Sequence, residues 1–584
     1  MDCEKFFGVE VSSAAESLAA KGAMVSDCFA LWQDGATSVD MSAQRSSAWM
    51  ARLVQSMRAA PRNFSANLSV GSFMSNPLYS VLMPSAIAHT RLIVGLEIHV
   101  ELCTRSKMFT RAPNPAHMDF DGSDPNSLVD PLVAALPGTL PVMNRAAVEM
   151  SARVGMALGC DIAKQCRWDR KNYFYPDLPK GYQISQYDQP LCGEGKFELP
   201  LEDGSTKTIG IIRAHLEEDT GKLGHELPGG RHYDGSLVDL NRAGTPLLEI
   251  VTAPDFASAA EVVAFAQNLR VLCRFLGVTE GVMQKGHMRF EPNINVEITF
   301  EDGTTVRTPI VEVKNLNSFK AVKGAIEYEF VRQVEAWKQD GRVMGRGMKA
   351  TRGWLDEKLE TVLQREKEDA HDYRYFPDPD LVPVHMDAAW LQEIRASLTE
   401  QPLSRQRRYQ QEWGLLPVDA ENLVAERDDC FYFEACVAAA GATAAAGFAV
   451  GKLLLNAGSK RANEKKCLIH QLGATPAQVA ELVKLREANE VGPQAADQLF
   501  GFMCDSDETV FALAQTHGLL QVRDDSALDA WVEEAILAQP QAAADVAAGK
   551  DAATGRLVGH VMKLSKGKAD AKSINERLIK RLRK

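Results

Sequence analysis

Leu96-Glu97-Ile98-His99-Val100-Glu101-Leu102 alternates apolar and polar side chains without a break. Successive side chains of a strand point to opposite faces, so one face here is aliphatic while Glu97, His99 and Glu101 share the other. For one strand alone, a solvated outer face is the ordinary explanation. The design recurs, however: Glu291, Asn293, Asn295 and Glu297 alternate with Pro292, Ile294, Val296 and Ile298, and Glu312 sits between Val311 and Val313 ahead of Lys314-Asn315-Leu316-Asn317.

Outward from these runs, residues 91 to about 320 read as short alternating segments between Gly, Pro and Asn-Asp turns, the pattern of half-buried antiparallel strands. Helical periods interrupt them at 146–158 and 259–275. From about 386 the apolar spacing becomes three and four, as at Val479, Leu482 and Val483, and predicts helices. The change follows Phe376-Pro377-Asp378-Pro379-Asp380. The expected class is α+β, with an antiparallel-sheet domain at 83–385, a helical domain at 386–470 and a helical tail domain at 471–584. Residues 1–82 lack sustained periodicity and carry Asp2, Glu4, Glu10 and Glu16, unlike a transit peptide; Met83 is the expected true start.

The 584 residues, 45% of them apolar, suffice for several cores, and a net charge of −12 argues against indiscriminate nucleic-acid binding. Any nucleic-acid site must be local. From Arg556 to Lys584, ten Lys and Arg face only Asp570 and Glu576. Eleven cysteines stand singly with no Cys-x-x-Cys, and no apolar run is long enough to cross a bilayer. A cytoplasmic protein with reduced thiols and no membrane partner is expected.

Ile212-Arg213-Ala214-His215-Leu216-Glu217-Glu218-Asp219 ends in three acids that water or a cation must screen. Mg²⁺ favours carboxylates plus nucleotide phosphate oxygens, so strand-borne acids beside Lys and Arg read as a metal–nucleotide site. Cations to hold phosphates occur in Asp169-Arg170-Lys171-Asn172 and in Asp239-Leu240-Asn241-Arg242, which are equally readable as turns. There is no Gly-x-x-x-x-Gly-Lys-Ser/Thr and no strand-borne Gly-x-Gly-x-x-Gly. A Ser-rich amidase signature is absent too, so chemistry that consumes ammonia from glutamine would need a second polypeptide.

Val94-Gly95-Leu96-Glu97-Ile98-His99-Val100-Glu101-Leu102 resembles the tRNA-binding component (GatB) of the heterotrimeric tRNA-dependent amidotransferases. The likeness continues through Leu136-Pro137-Gly138, Leu140 to Asn144, Arg170 to Asp177, Tyr182 to Gln186, His215 to Lys222, Leu237 to Thr245, Lys314 to Phe319, Asp372 to Pro377 and Met562 to Lys568. The resemblance implies a cradle-shaped sheet domain, a helical domain and a helical tail that touches tRNA. It implies that ATP phosphorylates the side-chain carboxylate of Glu-tRNA(Gln) or Asp-tRNA(Asn), and that ammonia channelled from an amidase (A) subunit, with a small C subunit alongside, displaces the phosphate.

On the same footing Mg²⁺ falls to Glu97, His99, Glu218 and Glu312, with Glu217, Glu249 and Glu291 as nearby acids. Arg289 joins the catalytic set; Lys171, Asn172, Ser185 and Arg242 are expected at the nucleotide, and Lys563, Lys566, Lys568 and Lys580 on tRNA. Zinc is not expected, because Thr110-Arg111-Ala112-Pro113 and Val129 to Val133 stand where many members have cysteine pairs. Arg289-Phe290-Glu291-Pro292-Asn293 also departs from the usual Arg-Cys-Asp-x-Asn.

Two other classes compete. A non-catalytic tRNA-binding scaffold would keep ATP cleavage unchanged when Glu97 and Glu218 become Gln. An aminoacyl-tRNA synthetase is suggested only by Lys563-Leu564-Ser565-Lys566-Gly567, which has no His-Ile-Gly-His companion.

Overall fold

The computed structural model describes residues 86–583 except 228–230, 346–347, 368–371, 522–524 and 566–567. The expectations for 1–82, Met83 and Lys566 therefore lie outside the described residues. Two units divide the chain, and the second, Ile87–Thr299 with Gly303–Trp337 and Arg342–Lys584, holds the elements that position the site.

In the second unit the strands run in the order β1 (Ile87–Glu101), β2 (Gln165–Cys166), β3 (Asp169–Asn172), β4 (Tyr182–Ser185), β5 (Gly195–Pro200), β6 (Thr206–Glu218), β7 (Lys222–Leu227), β8 (Arg231–Asp239) and β9 (Pro246–Thr252). They continue with β10 (Met288–Phe300), β11 (Thr305–Arg307), β12 (Val311–Lys314), β13 (Lys349–Leu355), β14 (Glu360–Lys367), β15 (Phe376–Pro377) and β16 (Val384–His385). Among the described residues, twelve of these form one sheet whose main path is β14-β13-β12-β10-β1-β9-β6-β4-β3-β15. The short β2–β16 and β7–β8 pairs stand apart from it.

Alternation in β1 works as its sequence requires. Val94, Leu96, Ile98 and Val100 are at most 1% exposed, while Glu97 and His99 are half-buried on the opposite face. Helices α1 (Arg145–Ala157) and α2 (Ala259–Phe275) contribute Val148, Ala152, Phe265 and Leu269 to the same apolar core. Each fully buried side chain the size of Val, Leu or Phe contributes on the order of 1.5–3 kcal/mol. Asn144 starts α1 by accepting from the Ala146 N–H at 3.0 Å, and Ser258 starts α2 by accepting from that of Glu261 at 3.2 Å.

One pair breaks the expected antiparallel pattern. β12 and β13 are parallel, with Glu312 beside Thr351. Helix α3 (Phe319–Asp340) lies between them in the chain, and a helical crossover is what returns a strand in the same direction.

Helices resume at Ala388–Ala396, and Ile394 still packs on the sheet's core. A second core runs without interruption from Tyr409 to Ala514, across the expected break at 470, and a third gathers Leu528 to Leu578. Phe275, the last residue of α2, belongs to the second core, and Arg274 pairs with Glu426 beside it. No helix among the described residues is long and apolar enough to cross a membrane.

Candidate active site

The polar face of β1 meets those of β9 and β6 on one side. Register places His99 beside Glu249 and Glu249 beside His215, so the three form a row across three strands. His99 Nε2 lies 3.5 Å and His215 Nε2 3.6 Å from Glu249 Oε2. Two residues along β6 from His215, Glu217 completes a group in which His99, Glu217 and Glu249 bring ligand atoms within 4.8 Å of one another.

A second group of the same compactness, Glu97, Glu291 and Glu312, comes from β1, β10 and β12. Adjacent outward positions of β1 thus supply one residue to each group.

The first group is under-satisfied as it stands: Glu217 Oε2, His99 Nδ1 and His215 Nδ1 are buried without hydrogen-bond partners. A buried carboxylate oxygen in that condition is costly unless a cation completes it, so the residues fit a metal ion. The all-oxygen second group matches the donors Mg²⁺ prefers, whereas an imidazole in the first also suits a transition ion such as Mn²⁺. In the second group Asn293 Nδ2 donates to Glu97 Oε1 at 3.0 Å while its own Oδ1 is buried without a partner.

Burial and charge set the protonation. Burial pushes His215 down to about 4 and Glu217 upward, the latter against the pull of Lys171. Burial also acts on His99, but the hydrogen bond to Glu249 and the charge of Glu291 outweigh it and raise its pKa. Glu249 is held low: burial opposes this, yet the imidazoles of His215 and His99 prevail.

Next to the first group, Arg289 donates to Glu101 Oε1 at 3.0 Å and to Asp219 Oδ2 at 2.7 Å. Burial and the neighbouring charge of Asp219 push Glu101 up to about 7.

The remaining expected residues divide by where their donors go. Lys171 Nζ is 4.0 Å from Glu217 Oε2 and lies over the Tyr373 ring at 5.3 Å, which puts it on the site. Ser185 is paired with Glu217 across β4 and β6. Asn172 instead donates to the Tyr373 and Arg374 carbonyls at 3.1 and 2.8 Å, and Arg242 to those of Thr220 and Gly221 at 2.9 and 2.7 Å. Both side chains hold backbone, and Arg242 Nε also lies 3.6 Å from Asp219 Oδ2, the acid that fixes Arg289.

Glu218 is not brought to either group. Strand alternation sends it to the face opposite Glu217, where it pairs with Lys180 and accepts from the Ile184 N–H at 3.0 Å. The residues read from sequence as one set, Glu97, His99, Glu218 and Glu312, thus fall in different places: His99 lies with Glu217 and Glu249, Glu97 and Glu312 lie with Glu291, and Glu218 lies with neither.

Several participants carried no usable sequence signal. Lys180 follows a proline in a turn, and Lys349 lies in the glycine-rich Gly341 to Gly353. Lys107 is fully buried, with Nζ 3.3 Å from the Leu240 carbonyl, and burial pushes it down to about 8. In the tail, Arg577 pairs with Asp525 and Asp529, Arg581 with Glu533 and Arg583 with Asp551. Lys563, Lys572 and Lys580 are exposed, and Lys568 is half-buried beside Gly518.

Comparison with known proteins adds the following. Residues 92–392 match the GatB/GatE catalytic domain, and 432–582 match the GatB domain. The chain is 43% identical over 480 residues to the B subunit of the aspartyl/glutamyl-tRNA(Asn/Gln) amidotransferase of Thermomicrobium roseum, covering 82% of this chain and 95% of that protein. Proteins of the same description from Carboxydothermus hydrogenoformans and Halorhodospira halophila are 40% and 42% identical, each covering 84% of this chain and 98% of the relative.

Proposed function

The chain belongs to the GatB family of the ATP-dependent, glutamine-hydrolysing tRNA amidotransferases, and on that premise we propose how its residues divide the work. The substrate carboxylate of Glu-tRNA(Gln), Asp-tRNA(Asn) or both is phosphorylated by ATP over the polar face of β1, β9, β10 and β12. Ammonia from an amidase (A) subunit, assembled with a small C subunit, then displaces the phosphate. The observation that carries this reading is the meeting of two compact acid groups across β1, both beside cations.

Carboxylates accept ammonia poorly until one oxygen becomes a leaving group, and phosphoryl transfer asks a protein for positioning and charge neutralisation rather than a nucleophile. His99, Glu217 and Glu249, and Glu97, Glu291 and Glu312, are the residues that would hold Mg²⁺, which when bound neutralises phosphate charge. Lys171 offers an ammonium group to the incoming anion beside Glu217. Arg289, fixed by Glu101 and Asp219, keeps a permanent positive charge within the polar floor. Lys563 and Lys580, exposed in the tail, supply sequence-independent attraction to tRNA phosphates.

The test is ATP-dependent amidation of Glu-tRNA(Gln) and Asp-tRNA(Asn) by the complete complex with ammonia supplied. Glu217→Gln should lower the rate about a hundredfold or more while tRNA binding persists. Unchanged turnover in that variant would leave the acids structural and the chain a tRNA-binding scaffold.

A further inference from the structure

The second acid group is crowded by lysines that the proposed roles do not use. Lys314 Nζ lies 2.5 Å from Glu291 Oε2 and 2.9 Å from Glu312 Oε1. Lys349 Nζ approaches from the neighbouring strand, 3.5 Å from Glu312 Oε2 and 3.8 Å from Glu97 Oε1. The backbone explains why both arrive. Lys314 is two residues beyond Glu312 on β12, and Lys349 is two residues before Thr351 on β13, the register partner of Glu312. Period-two alternation puts all four side chains on one face. Thr351 Oγ1 lies 3.4 Å from Glu312 Oε2 on that face.

The two lysines are not equivalent. Lys314 is within hydrogen-bond reach of two carboxylates, and burial, which lowers its pKa, is outweighed by Glu291 and Glu312. Lys349, one-third exposed, stands at longer ion-pair distances from both of its acids. Beside these carboxylates, the buried Asn293 Oδ1 next to Glu97 still has no donor. A divalent ion outcompetes the more distant ammonium for carboxylate oxygens, and a lysine so released lies within side-chain reach of any phosphate brought to the same acids.

We propose that Lys349 is a nucleotide-phosphate ligand held in reserve: it balances Glu97 and Glu312 in the ligand-free protein and transfers to a triphosphate oxygen when a divalent ion and nucleotide take the acids. This rests on the proposed ATP site and adds one residue to it. No covalent bond is made or broken in the exchange; one counter-ion replaces another.

The test uses the assembled complex and calorimetric titration, first with Mn²⁺ alone and then, with Mg²⁺ saturating, with a non-hydrolysable ATP analogue. Lys349→Met should bind Mn²⁺ about threefold or more tighter, because a competitor for Glu97 and Glu312 is gone, and should bind the analogue about tenfold more weakly. Lys349→Arg should restore analogue affinity to within about threefold of wild type. These opposite signs exclude a merely structural role, which would weaken both. Analogue affinity unchanged in Lys349→Met, or Mn²⁺ binding weakened alongside it, would overturn the proposal and leave the nucleotide site intact. Failure of the wild-type complex to bind the analogue would overturn the nucleotide site and the lysine role together.

Discussion

Glu101 shows what burial does to one carboxyl at the edge of the site. It is 4% exposed, close to the charge of Asp219 and held by Arg289, and its pKa is pushed up to about 7 from 4.5. Between those two values the folded chain binds a proton that the unfolded chain has lost. The group's stabilisation is therefore complete below about 4.5 and disappears as pH rises through about 7. Glu101→Gln should flatten that dependence and raise stability at pH 8 by on the order of 2 kcal/mol, read from thermal unfolding in chelator across pH 5–8. A dependence unchanged from wild type would assign the proton elsewhere. His215 has the opposite sign. Its folded pKa of about 4 lies below the ordinary 6.5, so it stabilises above that range and is lost on acidification toward pH 4.

At the scale of elements, the β12–α3–β13 crossover aims the second acid group. Its parts are joined through Glu329 on α3, whose side chain is 0% exposed. Glu329 accepts from Arg332 at 2.8 Å and from Gln333 at 3.1 Å, lies 3.2 Å from Arg352 Nε, and also bonds Thr361. Helix and strand pair β13–β14 are thereby joined through one carboxylate. Glu329→Ala leaves Arg352 half-buried without its acid and should cost about 3 kcal/mol. Amide exchange across Lys349–Leu355 is the direct readout; exchange that speeds up only outside β13 would show that the helix, not the strand, depends on Glu329. The sequence offers Glu329 as one acid among many on an amphipathic stretch, and nothing local distinguishes it.

Across the molecule, charge is arranged by place. The net −12 repels polyanions on average, while the tail's positive excess survives only where the third core's own acids do not consume it. Arg577, Arg581 and Arg583 are occupied, which among the described residues leaves Arg556, Lys563, Lys572 and Lys580 outward. Replacing Lys563 and Lys580 by Ala should reduce the slope of log affinity for tRNA against log salt by about 1.5, whereas Arg577→Ala should leave it unchanged. Equal effects from lysines and arginine would mean that the intramolecular pairs open on binding.

Local rules account for much of what was legible in the chain. Alternation at Glu97, His99 and Glu101, and at Glu291 and Asn293, identified the strands and their polar faces; the change of period near 386 identified the helices, because both signals depend only on neighbours along the backbone. Motif blocks carried the family. Alternation also places Glu217 and Glu218 on opposite faces, but which of the two meets His99 depends on how β6 is registered against β9, and a one-residue slip would exchange them. The parallel return of β13, the arrival of Glu249 between two histidines and the approach of Lys349 to Glu312 are likewise set by contacts between segments remote in sequence. Only the tertiary structure decided those, since strand register and crossover direction are minimised over the whole core rather than over any one run of residues.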